Sequence, residues 1–198
     1  MAESLMRELA SPESCFPGQF GAPMPRAGVV FSALTGLALI DLRGDPQDAA
    51  FLASAQSALG CALPLALNTT AAGPDCTALW TGPDAWLVVG SDAGKFSISP
   101  TIPHGFATDV SHGRAAWRIS GARTLDLLAK GCSLDLHPRA FQIGQCAQTS
   151  LAHVGVLLHR REDGIFDLYC ARSYAQHMWH WLTEAADEYG YEVALPFE

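Results

Sequence analysis

The sequence predicts an α+β fold made of a duplicated β-β-α-β-β-β unit. Short apolar runs bounded by Gly, Pro and Asp outnumber the helical stretches, so strands dominate. Markers recur at near-constant offsets: Leu39 to Trp117 is 78 residues, Gly44 to Gly121 is 77 and Trp86 to Phe166 is 80. Two helical stretches also end alike, on Gly60-Cys61 and Gly131-Cys132. Two long copies, rather than many short ones, distinguish the pattern from a solenoid. The 198 residues are 49% hydrophobic and 16% charged, too apolar for a disordered chain and enough for one core. Residues 1–27 are expected to form an N-terminal arm. Residues 28–198 then form a single domain of two pseudo-repeats, about 28–90 and 106–190, joined by a loop over 91–105.

The arm reads as a short polar helix followed by a loop punctuated by Pro12, Pro17, Pro23 and Pro25. Val29–Phe31 and Gly36–Leu42 are expected strands around a Thr35-Gly36 turn. Asp45 as N-cap, Pro46 at the first helical position and Gly60 beyond the end define a helix with Leu52, Ala55 and Leu59 on one face. Strands follow at Cys61–Leu67, Thr77–Trp80 and Trp86–Val89, the last two flanking the turn Thr81-Gly-Pro-Asp84. The second copy starts with strands Phe106–Val110 and Ala115–Ile119 around Ser111–Arg114. Ser120 caps a short helix through Leu125, Leu128 and Ala129 that Gly131 ends. Strands resume at Gln148–Val154, Val156–His159 and Phe166–Cys170, with a turn at Arg161–Gly164. Ser173 with Gln176 three residues on suggests a capping box for a last helix. Its apolar stripe is Tyr174, Met178, Trp181, Leu182, Ala185 and Tyr189, with Gly190 beyond its end and Trp179 off the stripe, turned toward a partner.

Charge and cysteine usage narrow the partners. Twenty acidic against 12 basic residues give a net charge of −8, which nucleic acid phosphates repel. No run reaches the ~18 apolar residues of a membrane span, so no membrane partner is expected. The first ten residues lack an apolar signal core, so the expected location is cytoplasmic. The six cysteines, Cys15, Cys61, Cys76, Cys132, Cys146 and Cys170, stand singly and fit buried thiols of a reducing compartment.

Candidate chemistry dissolves on inspection. His177 and His180 share a helix but lack the glutamate of a zinc protease motif and any further ligand. Asp109, Ser111, His112 and Arg114 invite a triad reading, yet neighbours on a strand point to opposite faces and the segment fits a turn. Cys146 has no base nearby in sequence, and His137-Pro138-Arg139, His153 and His159 form no pattern. Neither G-x-G-x-x-G nor G-x-x-x-x-G-K occurs, so no nucleotide loop is signalled. The expected catalytic, cofactor-binding and metal-binding residues on this chain are therefore none.

The runs Asp109–Gly121, Leu127–Phe141, Gly144–Thr149 and Phe166–Tyr174, with Gly82-Pro-Asp-Ala-Trp-Leu87, resemble the gamma subunit family of bacterial heterotetrameric sarcosine oxidase. The resemblance is close over 80–198 and only in outline before that. It implies a structural, non-catalytic gamma chain beside alpha, beta and delta subunits, in a complex that oxidatively demethylates sarcosine to glycine. It places no cofactor on this chain, with FAD, FMN, NAD, zinc and tetrahydrofolate on the partner subunits. It also implies a fold similar to the folate-binding domain of the glycine-cleavage T protein. Two features depart from the family: Ser120-Gly121-Ala122 where relatives have Ser-Gly-Pro, and the Ser/Pro-rich loop 91–105 where relatives have a helix. Two other functions fit the residues: a gamma-type subunit of a related oxidoreductase such as N-methylglutamate dehydrogenase, or a free-standing folate or small-molecule binding domain. The latter needs a pocket polar group, typically a carboxylate, to bind a pterin, and the sequence assigns none among Asp75, Asp84, Asp109, Asp135 and Asp167. A subunit should carry an apolar docking patch, for which Phe16, Phe20, Phe96, Ile98 and Trp179 are the expected contributors.

Overall fold

Period-two apolar patterning yields 13 strands in two sheets among the described residues. A computed structural model describes residues 17–22, 27–91, 96–99 and 101–197. The polar N-terminal helix, Cys15 and Phe16 lie outside them. In chain order the elements are β1 (Gly18–Phe20), β2 (Val29–Leu34), β3 (Ala38–Gly44), α1 (Ala49–Leu59), β4 (Thr70–Ala72), β5 (Cys76–Gly82), β6 (Ala85–Gly90), β7 (Thr101–Ile102) and β8 (Gly105–Asp109). They continue with β9 (Arg114–Ser120), α2 (Thr124–Ala129), β10 (Cys146–Leu151), β11 (Val154–Glu162), β12 (Ile165–Ala171), α3 (Ala175–Ala186) and β13 (Tyr191–Phe197).

The chain divides into two compact units. One holds Gly36–His112 and Gly144–Ala147, the other the segment ending at Thr35, Gly113–Ile143 and the chain from Gln148 onward. The first contains the sheet β4-β5-β6-β3-β8-β7, the second the sheet β1-β13-β2-β9-β12-β11-β10. The two orders are alike, β4-β5-β6-β3 then β8 in one and β10-β11-β12-β9 then β2 in the other, but the first strand of each sequence repeat, β2 or β8, lies in the sheet that holds the rest of the other repeat. The structure is mixed α+β and mostly strand, as the sequence predicts.

In the first unit α1 lays Phe51, Ala55 and Leu59 against Ile40, Leu42, Ala78, Trp86 and Val88. Phe51 and Trp86 stand 5.8 Å apart between ring centroids, and the Trp86 indole donates a 2.7 Å hydrogen bond to the Pro64 carbonyl. Phe51 lies so near the strands that a Cβ at Gly44 or Gly105 would come within 2.3 or 2.6 Å of its ring. Only glycine fits at those two crossings. In the second unit Phe31, Ile119 and Phe166 face one another across β2, β9 and β12. Trp179 of α3 packs edge-on to Phe31 at 5.5 Å, and both are buried.

Several expectations are corrected. Helix α1 starts at Ala49 with Asp48 as N-cap, accepting from the Ala50 and Phe51 amides, because Asp45 instead accepts from the Gln47 amide in a local turn. Its buried face is Phe51, Ala55 and Leu59, with Leu52 only partly covered, while Gly60 closes it in the left-handed region at φ 71° as expected. Cys61–Leu67 is not a strand: Pro64 removes a ladder donor, and Leu65 and Leu67 are exposed. The next strand is β4. Helix α2 is capped at Arg123 without a side-chain bond, not by Ser120, and buries Thr124, Leu127 and Leu128 while Ala129 is exposed. The β10–β11 turn falls at Ala152-His153, both at positive φ, inside the run expected as the strand Gln148–Val154.

Helix α3 opens through a 3-10 turn at Arg172–Tyr174, and its N-cap Tyr174 makes no side-chain cap bond, so the Ser173 capping box does not set its start. Its buried face is Ala175, Met178, Trp179, Leu182 and Ala186; Tyr174 is exposed. Trp179 thus belongs to the core and not to a partner-facing surface. Four strands escaped the sequence reading, β4 at Thr70–Ala72 among them. The two-residue strand β7 sits within the segment read as loop, β1 within the arm, and β13 follows Gly190 to pair in parallel with β2 and antiparallel with β1.

Candidate functional site

The strongest concentration of buried polar groups is a row across three strands of the second unit. Arg118 of β9, Asp167 of β12 and His159 of β11 occupy directly opposed positions in the ladder. Asp167 is 2% exposed and receives both prongs of the Arg118 guanidinium, Nε at 2.7 Å and Nη2 at 2.9 Å. Arg161 Nε lies 3.8 Å from the same carboxylate. Burial pushes the His159 imidazole down to about 4, against the pull of Asp167 and with the help of Arg161 and Arg118. His159 is therefore neutral at pH 7. A carboxylate holding a guanidinium fork on both oxygens is committed to structure rather than to proton transfer. Nearby, Arg160 is 1% exposed, donates to the Phe141 carbonyl at 2.6 Å and to Asp163 at 2.8 Å, and lies over the Phe166 ring.

The other groups singled out in the sequence are tied up, buried or exposed one by one. The Ser111 hydroxyl donates to Asp109 at 2.6 Å and accepts from the Leu39 amide at 2.9 Å. The Ser111 hydroxyl, with the Ser111 amide donating to the same carboxylate at 2.8 Å, holds the Asp109 carboxyl below its usual range and is itself tied into a turn. Cys146 is fully buried and donates toward the Trp80 and Thr69 carbonyls, and burial pushes its thiol up to about 12. The described cysteines are all free thiols. His177 and His180 are exposed on α3, and His137 and Arg139 form a local turn with Asp135. No group of three or more metal-ligating side chains forms among the described residues. Of the five carboxylates considered for a pterin, Asp75, Asp84, Asp109 and Asp135 are exposed and Asp167 is spent on Arg118.

Two of the open clefts among the described residues gather charged or polar side chains. In the second unit Lys130, Gly131, Cys132, His153, His177 and Trp181 line about 510 Å³. There Lys130 is already engaged by Glu188 and lies over the Tyr189 ring. In the first unit Asp41, Arg43, Asp45, Asp84 and Phe106 line about 690 Å³. Phe106 is 58% exposed, and sequence reasoning passed over it as a strand residue. Its partner Arg43 on β3 was the available signal, since a charged residue there marks a wet sheet face. No described helix is long and apolar enough to cross a membrane.

Comparison with known proteins places this architecture. Residues 43–188 match the model of the family described as sarcosine oxidase, gamma subunit. The chain is 31% identical to the sarcosine oxidase subunit gamma of Corynebacterium sp. (strain P-1) over 158 residues, 77% of each chain. It is also 31% identical to that of an Arthrobacter species over 166 residues, 81% of each. Among solved structures, a chain of the heterotetrameric sarcosine oxidase from Corynebacterium sp. U-96 superposes with a TM-score of 0.74 at 25% identity, covering 98% of this chain and 94% of that one. The glycine cleavage aminomethyltransferase T of Bartonella henselae shares the fold at 12% identity and a TM-score of 0.58, over 86% of this chain and 48% of that one. The two sheets, their helices and the matched run from Arg43 to Glu188 together mean that the chain belongs to the sarcosine oxidase gamma subunit family.

Proposed function

We propose that the chain is a structural, non-catalytic gamma subunit of a heterotetrameric sarcosine oxidase that demethylates sarcosine to glycine. The observation that carries this reading is the likeness to a chain of a solved heterotetramer over 98% of the present chain. The state of the reactive groups supports it: the Cys146 thiol is buried and protonated, Ser111 is tied to Asp109, and Asp167 to Arg118. Alpha, beta and delta chains are its partners in this reading, and they carry the FAD, FMN, NAD, zinc and tetrahydrofolate, within the cytoplasm. The matching strand orders support a duplicated unit whose pseudo-repeats, at about 28–90 and 106–190, exchange their first strands. In the same reading the N-terminal arm, residues 1–27, contributes to docking. Co-expression of a tagged copy with the other subunits tests this. Flavin absorbance and sarcosine turnover should follow the tag, whereas the isolated chain should be colourless and inactive. Turnover or retained flavin by the isolated chain contradicts the reading.

A further inference from the structure

The first unit presents a groove on the face of β3 and β8 opposite α1. Arg43 and Phe106 stand side by side there, and Phe106 remains 58% exposed although it sits within a strand. Around it lie three carboxylates against one guanidinium. Both Asp41 oxygens are engaged by Arg43 at 3.3–3.4 Å, which uses the one cation lining the groove. Asp84, 67% exposed on its side chain, stands 3.9 Å from Arg43, and the carboxylate of exposed Asp45 accepts the Gln47 amide at 2.8 Å. The groove therefore has an exposed aromatic ring in its lining and two carboxylates with spare acceptor capacity.

We propose that this groove docks an arginine-bearing loop of a partner subunit, the guanidinium lying over Phe106 and bridging Asp45 and Asp84. The proposal rests on the gamma-subunit reading and names the face through which that subunit binds. Charge complementarity selects the occupant. A second copy of a chain carrying −8 would set like charges together, and nucleic acid or an anionic lipid surface would be repelled. Arginine suits the site better than lysine because its planar fork pairs with carboxylates while its face stacks on an aromatic ring. No metal-ligating cluster competes for the carboxylates among the described residues.

The test titrates the purified remaining chains of the oxidase against wild-type chain, Asp45→Asn/Asp84→Asn, Phe106→Ala and Phe106→Tyr, at low and high salt. The Asn pair should weaken binding about tenfold at low salt and remove most of the salt dependence. Phe106→Ala should weaken it about tenfold at both salt levels, and Phe106→Tyr, which keeps the ring, should restore it. Melting of the isolated variants should match wild type, separating docking from folding. Binding of the Asn pair and of Phe106→Ala within about twofold of wild type, with an unchanged salt slope, overturns the groove while leaving the gamma reading intact. Failure of the wild-type chain to bind the other chains at all overturns both.

Discussion

Replacing Asp167 by Leu should destabilise the chain by about 3–5 kcal/mol, the cost of removing one partner from a buried ion pair. Asp167 is 2% exposed on its side chain and Arg118 19%, so solvent restores little of what the fork at 2.7 and 2.9 Å supplies. Arg118→Met should cost somewhat less, because Arg161 remains 3.8 Å from the orphaned carboxylate. The double variant Arg118→Met/Asp167→Leu should lie within about 1 kcal/mol of wild type, since an apolar pair of similar volume replaces the ions. The coupling between the two sites should then reach at least about 2 kcal/mol. Urea unfolding near pH 7.5 reads all four proteins, and each single variant should also melt roughly 6–20 °C lower for a chain of this size. Single variants that each cost under about 1 kcal/mol, or a double variant as unstable as their sum, refute the argument.

Three further outcomes follow from the same geometry. Burial depresses His159 to about 4 from the ordinary imidazole value of 6.5, so the unfolded chain binds the extra proton between those values and stability rises with pH across that window. The gain is about 3 kcal/mol by about pH 6.5 and level above it, and denaturant titrations of His159→Gln should lose this slope. Trp179→Ala should cost about 3–5 kcal/mol in the isolated chain, because the ring is 2% exposed and packs on Phe31. A mutant that melts like wild type and loses only partner binding would put Trp179 at an interface instead. In mild alkylation read by mass spectrometry, Cys61 and Cys132 should label ahead of Cys76, Cys146 and Cys170, whose thiols are buried and pushed up to about 11, 12 and 11. Rapid labelling of Cys146 under native conditions would show that its strand opens.

What the sequence made legible was local. Gly82-Pro83-Asp84 and Asp163-Gly164 announce hairpins, and Gly60 announces a left-handed helix end, because each needs only its neighbours. The false strand at Cys61–Leu67 shows the limit, since its apolar run is held extended by Trp86 bonding the Pro64 carbonyl rather than by a ladder. The buried face of α3 was misjudged because Trp181 and Trp179 are equally apolar, and only packing on Phe31 decides between them. The row of Arg118, Asp167 and His159 is assembled by register from three separated strands, so no linear spacing reveals it. For Phe106 the reason is similar: β3 supplies the Arg43 beside it.

The most direct test of the subunit reading is purification of the oxidase with and without this chain. With all chains present, the 21.1 kDa chain should co-elute with the flavin absorbance as an equimolar component. Without it, the remaining chains should lose assembly or stability while keeping their flavins. An oxidase that assembles, stays stable and turns over sarcosine equally well without this chain would contradict the account.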